Sequence, residues 1–186
     1  MAAAPASFDP SDVKTLIVGD NAFERRLVHD LLIALGVKEI IQAEDAMDAF
    51  AQMMLRRPSL IIADAEMRPA SGLALAREIR TVKTAHREIP IILFTSETSA
   101  EFAQAGKEAG AHEVIAKPVS AEALRRCLQH AMTQTRDFTE ISAKPRRTMR
   151  APEGAPAKGG FDRAARADLD LADLAEDFGG NHAIAD

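Results

Sequence analysis

Leu60-Ile61-Ile62-Ala63-Asp64 is an unbroken apolar run that stops on an acid, with Pro58 two residues ahead of it. A run of this length without polar alternation suits a strand covered on both faces, as in a parallel sheet. A carboxylate closing such a strand stands at the edge where open α/β sheets carry out their chemistry. Similar runs recur at 15–18 (Thr-Leu-Ile-Val), 39–43, 89–95 and 113–116. Between and after them lie stretches of helical period at 22–35, 45–56, 72–82, 99–109 and 120–133. Phe23, Leu27, Leu31 and Leu35 share one face of the first, and Ala46, Ala49, Phe50, Met53 and Met54 form the inner side of the second. In the last, Leu124, Cys127, Leu128 and Ala131 point inward. Gly36 and Gly110 are helix stops. Five strands alternating with five helices over short connections imply right-handed crossovers and a doubly wound, five-stranded parallel sheet, a flavodoxin-like α/β fold.

The 186 residues exceed what one such domain needs. With eight Phe and no Trp or Tyr, the core falls to Ala, Leu, Ile and Val. A net charge of −5 argues against a bulk DNA binder. The single cysteine, Cys127, excludes an internal disulfide framework and fits a reducing compartment. The N-terminus lacks the basic and apolar regions of a secretory signal, and no run of about 20 apolar residues exists to insert in a membrane. These features point to the cytoplasm.

Four units follow from composition: a flexible N-terminus at 1–11, the α/β domain at 12–133, a linker at 134–160 and a terminal helical segment at 161–186. The linker carries Pro145, Pro152, Pro156, Gly154, Gly159 and Gly160. Its basic residues Arg136, Lys144, Arg146, Arg147, Arg150 and Lys158 outnumber its acids. Residues 162–178 regain helical period. Asp162 is a candidate cap, Leu171, Leu174 and Phe178 share a face, and Asp168, Asp170, Asp173, Glu176 and Asp177 make the rest acidic.

Asp20 follows the first strand, Asp64 ends the third, Thr95 the fourth, and Lys117, before Pro118, the fifth. This ordered set at one sheet edge resembles the response-regulator receiver domain, of CheY-like fold, over residues 12–133. The resemblance implies a non-enzymatic signalling domain. Asp64 would be the phosphoacceptor for a histidine kinase. Asp20, Asp64 and the Glu66 carbonyl would hold magnesium, and Thr95 and Lys117 would bind the phosphoryl group. Three departures stand out. Receivers carry two adjacent acids after the first strand, and here the first is Gly19, which weakens magnesium binding. The Met-Pro pair becomes Glu66-Met67-Arg68-Pro69, bringing a cation that stands in partly for a metal. The aromatic switch position of the fifth strand is Val114. The bland alternative is a receiver that keeps Asp64 and Lys117 only as a structural pair.

The tail adds a second candidate site. Arg147 and Arg150, and again Arg163 and Arg166, stand three apart, a spacing that puts helical residues on one face. Guanidinium groups stack on purines and bind guanine edges and phosphates. A guanine dinucleotide, RNA, an acidic protein surface or nothing at all would suit such a tail. Its acidic helix could instead dock on the basic linker, or offer its Leu-lined face to a partner groove. A receiver with an arginine-rich extension is similar to the Cle family of cyclic di-GMP-binding receivers. That resemblance implies cyclic di-GMP bound by Arg146, Arg147, Arg150, Arg163 and Arg166, with Asp162 and Asp168 as guanine partners. It also implies action on a flagellar motor switch protein. The leading expectation is therefore a cyclic di-GMP-sensing motility adaptor. The alternative is a phosphorylation-driven regulator with a passive tail.

Overall fold

Each apolar run becomes a strand whose side chains alternate between two cores. A computed structural model describes residues 8–82 and 84–133. Its strands are β1 (Lys14–Val18), β2 (Glu39–Ala43), β3 (Leu60–Asp64), β4 (Ile91–Thr95) and β5 (Glu113–Ala116). They form one parallel sheet in the order β2-β1-β3-β4-β5, with β3 at its centre. Leu16, Val18, Ile61, Ala63, Ile91 and Leu93 face one core, and Ile17, Leu60, Ile62, Ile92 and Phe94 face the other. Burial on both faces explains why these segments read as continuous apolar runs.

The helices are α1 (Ala22–Ala34), α2 (Ala46–Arg56), α3 (Gly72–Thr81), α4 (Ala100–Glu108) and α5 (Ala121–Thr133). The first four begin at side-chain caps: Asn21, Asp45, Ser71 and Ser99 accept from N–H groups of the first turn. Helices α2 and α3 supply Phe50, Met53, Leu75 and Ile79 to the first core, while α1 and α5 supply Val28, Leu32, Leu124 and Leu128 to the second. Each cap comes shortly after a strand, so helix starts and strand ends gather at one edge. Gly36 (φ 96°) and Gly110 (φ 93°) adopt the left-handed conformation expected of helix stops.

Two sequence expectations change. The apolar face drawn through Phe23, Leu27, Leu31 and Leu35 is not the buried one: α1 turns Val28 and Leu32 to the sheet, and Phe23 is 76% exposed. Leu31 and Leu35 flank the core instead. Two stripes one residue apart satisfy the same helical period, and periodicity alone does not choose between them. The fourth strand begins at Ile91 rather than Ile89. Pro90 has no N–H to give, and the Ile89 N–H is spent on the His86 carbonyl at 3.1 Å.

Arg80, fully buried at the end of α3, ties together segments far apart in the chain. Its Nη2 donates to the carbonyls of Ile89 (2.9 Å) and Gly110 (2.7 Å), its Nε to Gly110 (3.1 Å), and Nη1 reaches the Arg87 carbonyl. Truncation would strand three carbonyl acceptors at once, two of them buried. Arg80→Ala is expected to lower unfolding free energy by about 3 kcal/mol in urea titration. Arg80→Lys should recover little, because an ammonium lacks the planar fork.

Candidate functional site

Asp64 is the last residue of the central strand, and its backbone is held from two sides. The Ala65 N–H donates to the Phe94 carbonyl at 2.7 Å. Gly72, the first residue of α3, lies so close that a β-carbon there would stand 2.5 Å from the Asp64 carbonyl oxygen. Only glycine lets α3 start against the strand at this point. The Asp64 Oδ1 accepts from the Glu66 N–H at 3.0 Å and pairs with the Lys117 Nζ at 3.0 Å.

Lys117 follows β5, its N–H held by the Thr95 carbonyl at 2.8 Å. The Lys117–Pro118 and Arg68–Pro69 peptide bonds are both cis. The Lys117 ammonium meets three carboxylates: Glu24 at 2.6 Å, Asp64 at 3.0 Å and Glu66 at 3.2 Å. Burial alone would favour the neutral amine. The hydrogen bonds it donates to Glu24, Asp64 and Glu66 outweigh that and push its pKa well above the usual lysine range. The Glu66 carboxylate accepts from the Thr95 hydroxyl at 2.9 Å and the Ser96 N–H at 2.6 Å. Burial pushes its pKa up, but the bonds from Ser96, Thr95 and Lys117 bring it below the usual glutamate range. Thr95 is itself buried, and its hydroxyl also accepts from the Glu97 N–H at 2.9 Å.

Asp20 is exposed, and its Oδ2 accepts from the Arg68 N–H at 3.1 Å, which links the ends of β1 and β3. At Gly19, a β-carbon would stand 3.3 Å from the Asp64 Cβ. Arg25 reaches back over this position and donates from Nη1 to the Gly19 carbonyl. Gly19, Asn21, Glu24, Arg25, Asp64 and Phe94 line a shallow pocket there. Among the described residues no group of three or more His, Cys, Asp or Glu side chains is gathered as a metal cluster. Magnesium needs less, because it takes oxygen donors and keeps much of its water. The all-oxygen set of Asp20, Asp64 and the Glu66 carbonyl fits it.

Of the residues singled out from sequence, Asp64, Glu66, Thr95 and Lys117 form one hydrogen-bonded network, with Asp20 at its rim. Arg68 contributes its backbone N–H, and its side chain is exposed. Val114 packs against the first core, its Cγ2 2.6 Å from where a β-carbon on Gly106 of α4 would stand. Arg146, Arg147, Arg150, Asp162, Arg163, Arg166 and Asp168 lie outside the described residues. Sequence reasoning missed Glu24, Arg25 and Ser96. A signal for Glu24 existed: it stands three residues after the Asn21 cap, where the two side chains approach at 3.4 Å.

A doubly wound sheet in this strand order, with acids, a threonine and a lysine at its carboxyl edge, defines a receiver-type signalling domain. The family model for the response regulator receiver domain matches residues 15–129, and the chain belongs to that family. It is 28% identical over 118 residues to the chemotaxis protein CheY1 of Helicobacter pylori, covering 63% of this chain and 94% of that protein. It is 30% identical over 117 residues to a probable chemotaxis protein CheY of Rhizobium etli, covering 63% and 90%. Among solved structures it resembles the chemotaxis response regulator CheY4 of Vibrio cholerae, with a TM-score of 0.59, 32% identity, and coverage of 64% of this chain and 98% of that one. The receiver domain of a sensor histidine kinase from Pseudomonas aeruginosa, which has a magnesium ion coordinated in its active site cleft, matches with a TM-score of 0.59 and 25% identity. That match covers 66% of this chain and 98% of the other. No described helix is long and apolar enough to cross a membrane.

The two shifted groups of this network act at opposite ends of the pH scale. The depressed carboxyl of Glu66 adds stability above the ordinary glutamate range, lost as pH falls through its folded value. The raised Lys117 adds stability that is complete below the ordinary lysine range and lost only as pH rises through its folded value. Urea titrations across pH should show stability falling below about pH 4.3, and Glu66→Gln should make that acid limb shallower.

Proposed function

We propose that this chain is a chemotaxis-type signalling receiver in which Asp64 accepts a phosphoryl group from a histidine kinase. The observation that carries the reading is the 3.0 Å pair between Asp64 and Lys117, set beside the Thr95 hydroxyl at the edge of the sheet. An Asp64 oxygen attacks the phosphorus of a phosphohistidine in line. The new O–P bond forms as the P–N bond breaks, and the imidazole leaves. Lys117 meets the charge on the transferring oxygens, and the Thr95 hydroxyl donates to one of them. Asp20, Asp64 and the Glu66 carbonyl would hold magnesium, which would supply screening of that charge. Incubation of the full chain with acetyl phosphate and magnesium should give a single acid-stable, base-labile phosphoryl adduct by intact mass. Asp64→Asn should give none, and an adduct on that variant would refute the assignment.

A second input is supported by the departures from the family pattern. Gly19 removes one acid, and Val114, wedged against Gly106, takes the place of a mobile aromatic side chain. In this reading the tail binds cyclic di-GMP through Arg146, Arg147, Arg150, Arg163 and Arg166. Asp162 and Asp168 accept from the guanines, and the receiver presents its surface to a flagellar motor switch protein, in the manner of the Cle family. Several of the relatives are named as chemotaxis proteins, which agrees with a motility output. Titration calorimetry of cyclic di-GMP into the full chain should give saturable heat, abolished in the Arg163→Ala, Arg166→Ala double variant and absent with GTP. Heat that survives the double variant removes Arg163 and Arg166 from the site, and no heat from the wild type removes the nucleotide.

A further inference from the structure

Glu66 stands two residues beyond the acceptor, on the loop between β3 and α3, yet its side chain reaches across the edge of the sheet. The three groups it engages are 29, 30 and 51 residues away in sequence. Its Oε1 takes the Thr95 hydroxyl at 2.9 Å and the Ser96 N–H at 2.6 Å, and its Oε2 takes the Lys117 Nζ at 3.2 Å. A hydroxyl, a backbone N–H and an ammonium that converge on one small anion make an oxyanion cradle. Lys117 pairs with Asp64 as well, at 3.0 Å, and Thr95 and Lys117 are the donors that the proposed function gives to a phosphoryl group on Asp64. All three donors of the cradle are engaged in the unmodified chain.

We infer that Glu66 is a resident occupant of the cradle formed by Thr95, Ser96 and Lys117, an internal anion that competes with the phosphoryl group for the same donors. This rests on the reading of Asp64 as the acceptor. The phosphoryl group gains the donors only when the Glu66 side chain swings out. The charge-assisted bonds it gives up then oppose the transfer. The resting chain therefore holds Thr95 and Ser96 in an anion-bound arrangement before any signal arrives. Side-chain length matters: aspartate at this position is one methylene too short to span the same gap, whereas glutamine keeps the reach and loses the charge.

The test uses the full chain with Glu66→Gln, Glu66→Ala and Glu66→Asp. All three variants keep the residue-66 carbonyl, so the proposed magnesium donors are unchanged. Glu66→Gln is isosteric and guards against a loss of fold. Two quantities are read: the rate of Asp64 phosphorylation by acetyl phosphate with magnesium, and the Ser96 amide NMR shift in the unphosphorylated protein. Glu66→Ala and Glu66→Asp should react about tenfold faster than wild type, the scale of one charge-assisted hydrogen bond, with Glu66→Gln in between. In the same two variants the Ser96 amide should move upfield as its short bond is lost. Unchanged rates in both overturn the competition, and an unmoved Ser96 amide overturns the occupancy. If no chain is modified at Asp64 but the Ser96 amide moves, the occupancy stands and the acceptor reading falls.

Discussion

The Lys117 ammonium carries three protons and meets three carboxylates, one from the start of α1, one from the end of β3 and one from the loop that follows. Each of those acids repels the other two, and at a partly desolvated edge that repulsion is far stronger than in water. A single cation balances them only because it sits where it touches all three. The loops at this edge are therefore arranged around one charge. Its position comes in turn from the Thr95 carbonyl that holds the Lys117 backbone in line with the end of β4.

The sheet makes that arrangement repeatable. Both of its faces are covered, so polar groups gather at the strand ends. Parallel register sets Ala63 beside Val18, Asp64 beside Phe94 and Thr95 beside Ala116, which levels the ends of four strands. Gly72 brings the start of α3 into contact with the Asp64 backbone, so β3 cannot slide without moving a helix. On the other side Arg25 folds over Gly19 and covers the place where the family carries a second acid. The edge is thus firm on the α3 side and less acidic on the α1 side than in a receiver with paired acids.

Much of this was legible in the amino-acid sequence, and the illegible parts share a cause. The strands announce themselves because double burial demands unbroken Ile, Leu and Val. The acid, acid, threonine and lysine announce themselves because each closes or follows such a run. The inward face of α1 does not, since the stripe through Leu27 and the stripe through Val28 obey the same period and only packing against β1 decides. The role of the Glu66 side chain, and that of Glu24 toward Lys117, are hidden because these partners are 29 or more residues away. An arginine in α3 reads as a solvent residue, although Arg80 is wholly buried, because its acceptors are backbone carbonyls that any sequence supplies. The arginines after residue 144 are legible as spacing alone.

The close seat of Val114 against Gly106 has a consequence for how information leaves the pocket. A large ring at that position could turn in or out like a tumbler in a lock, leaving the main chain where it was. A branched aliphatic side chain pressed against a helix has no second berth. If Thr95 and Ser96 carry a signal, Val114 offers no such turn, which leaves the segment that leads from β4 into α4 to convey it. A displacement of that segment would alter the outline of the surface rather than the identity of one exposed residue. A partner that reads it would sense the pitch of a helix, not the presence or absence of an aromatic side chain.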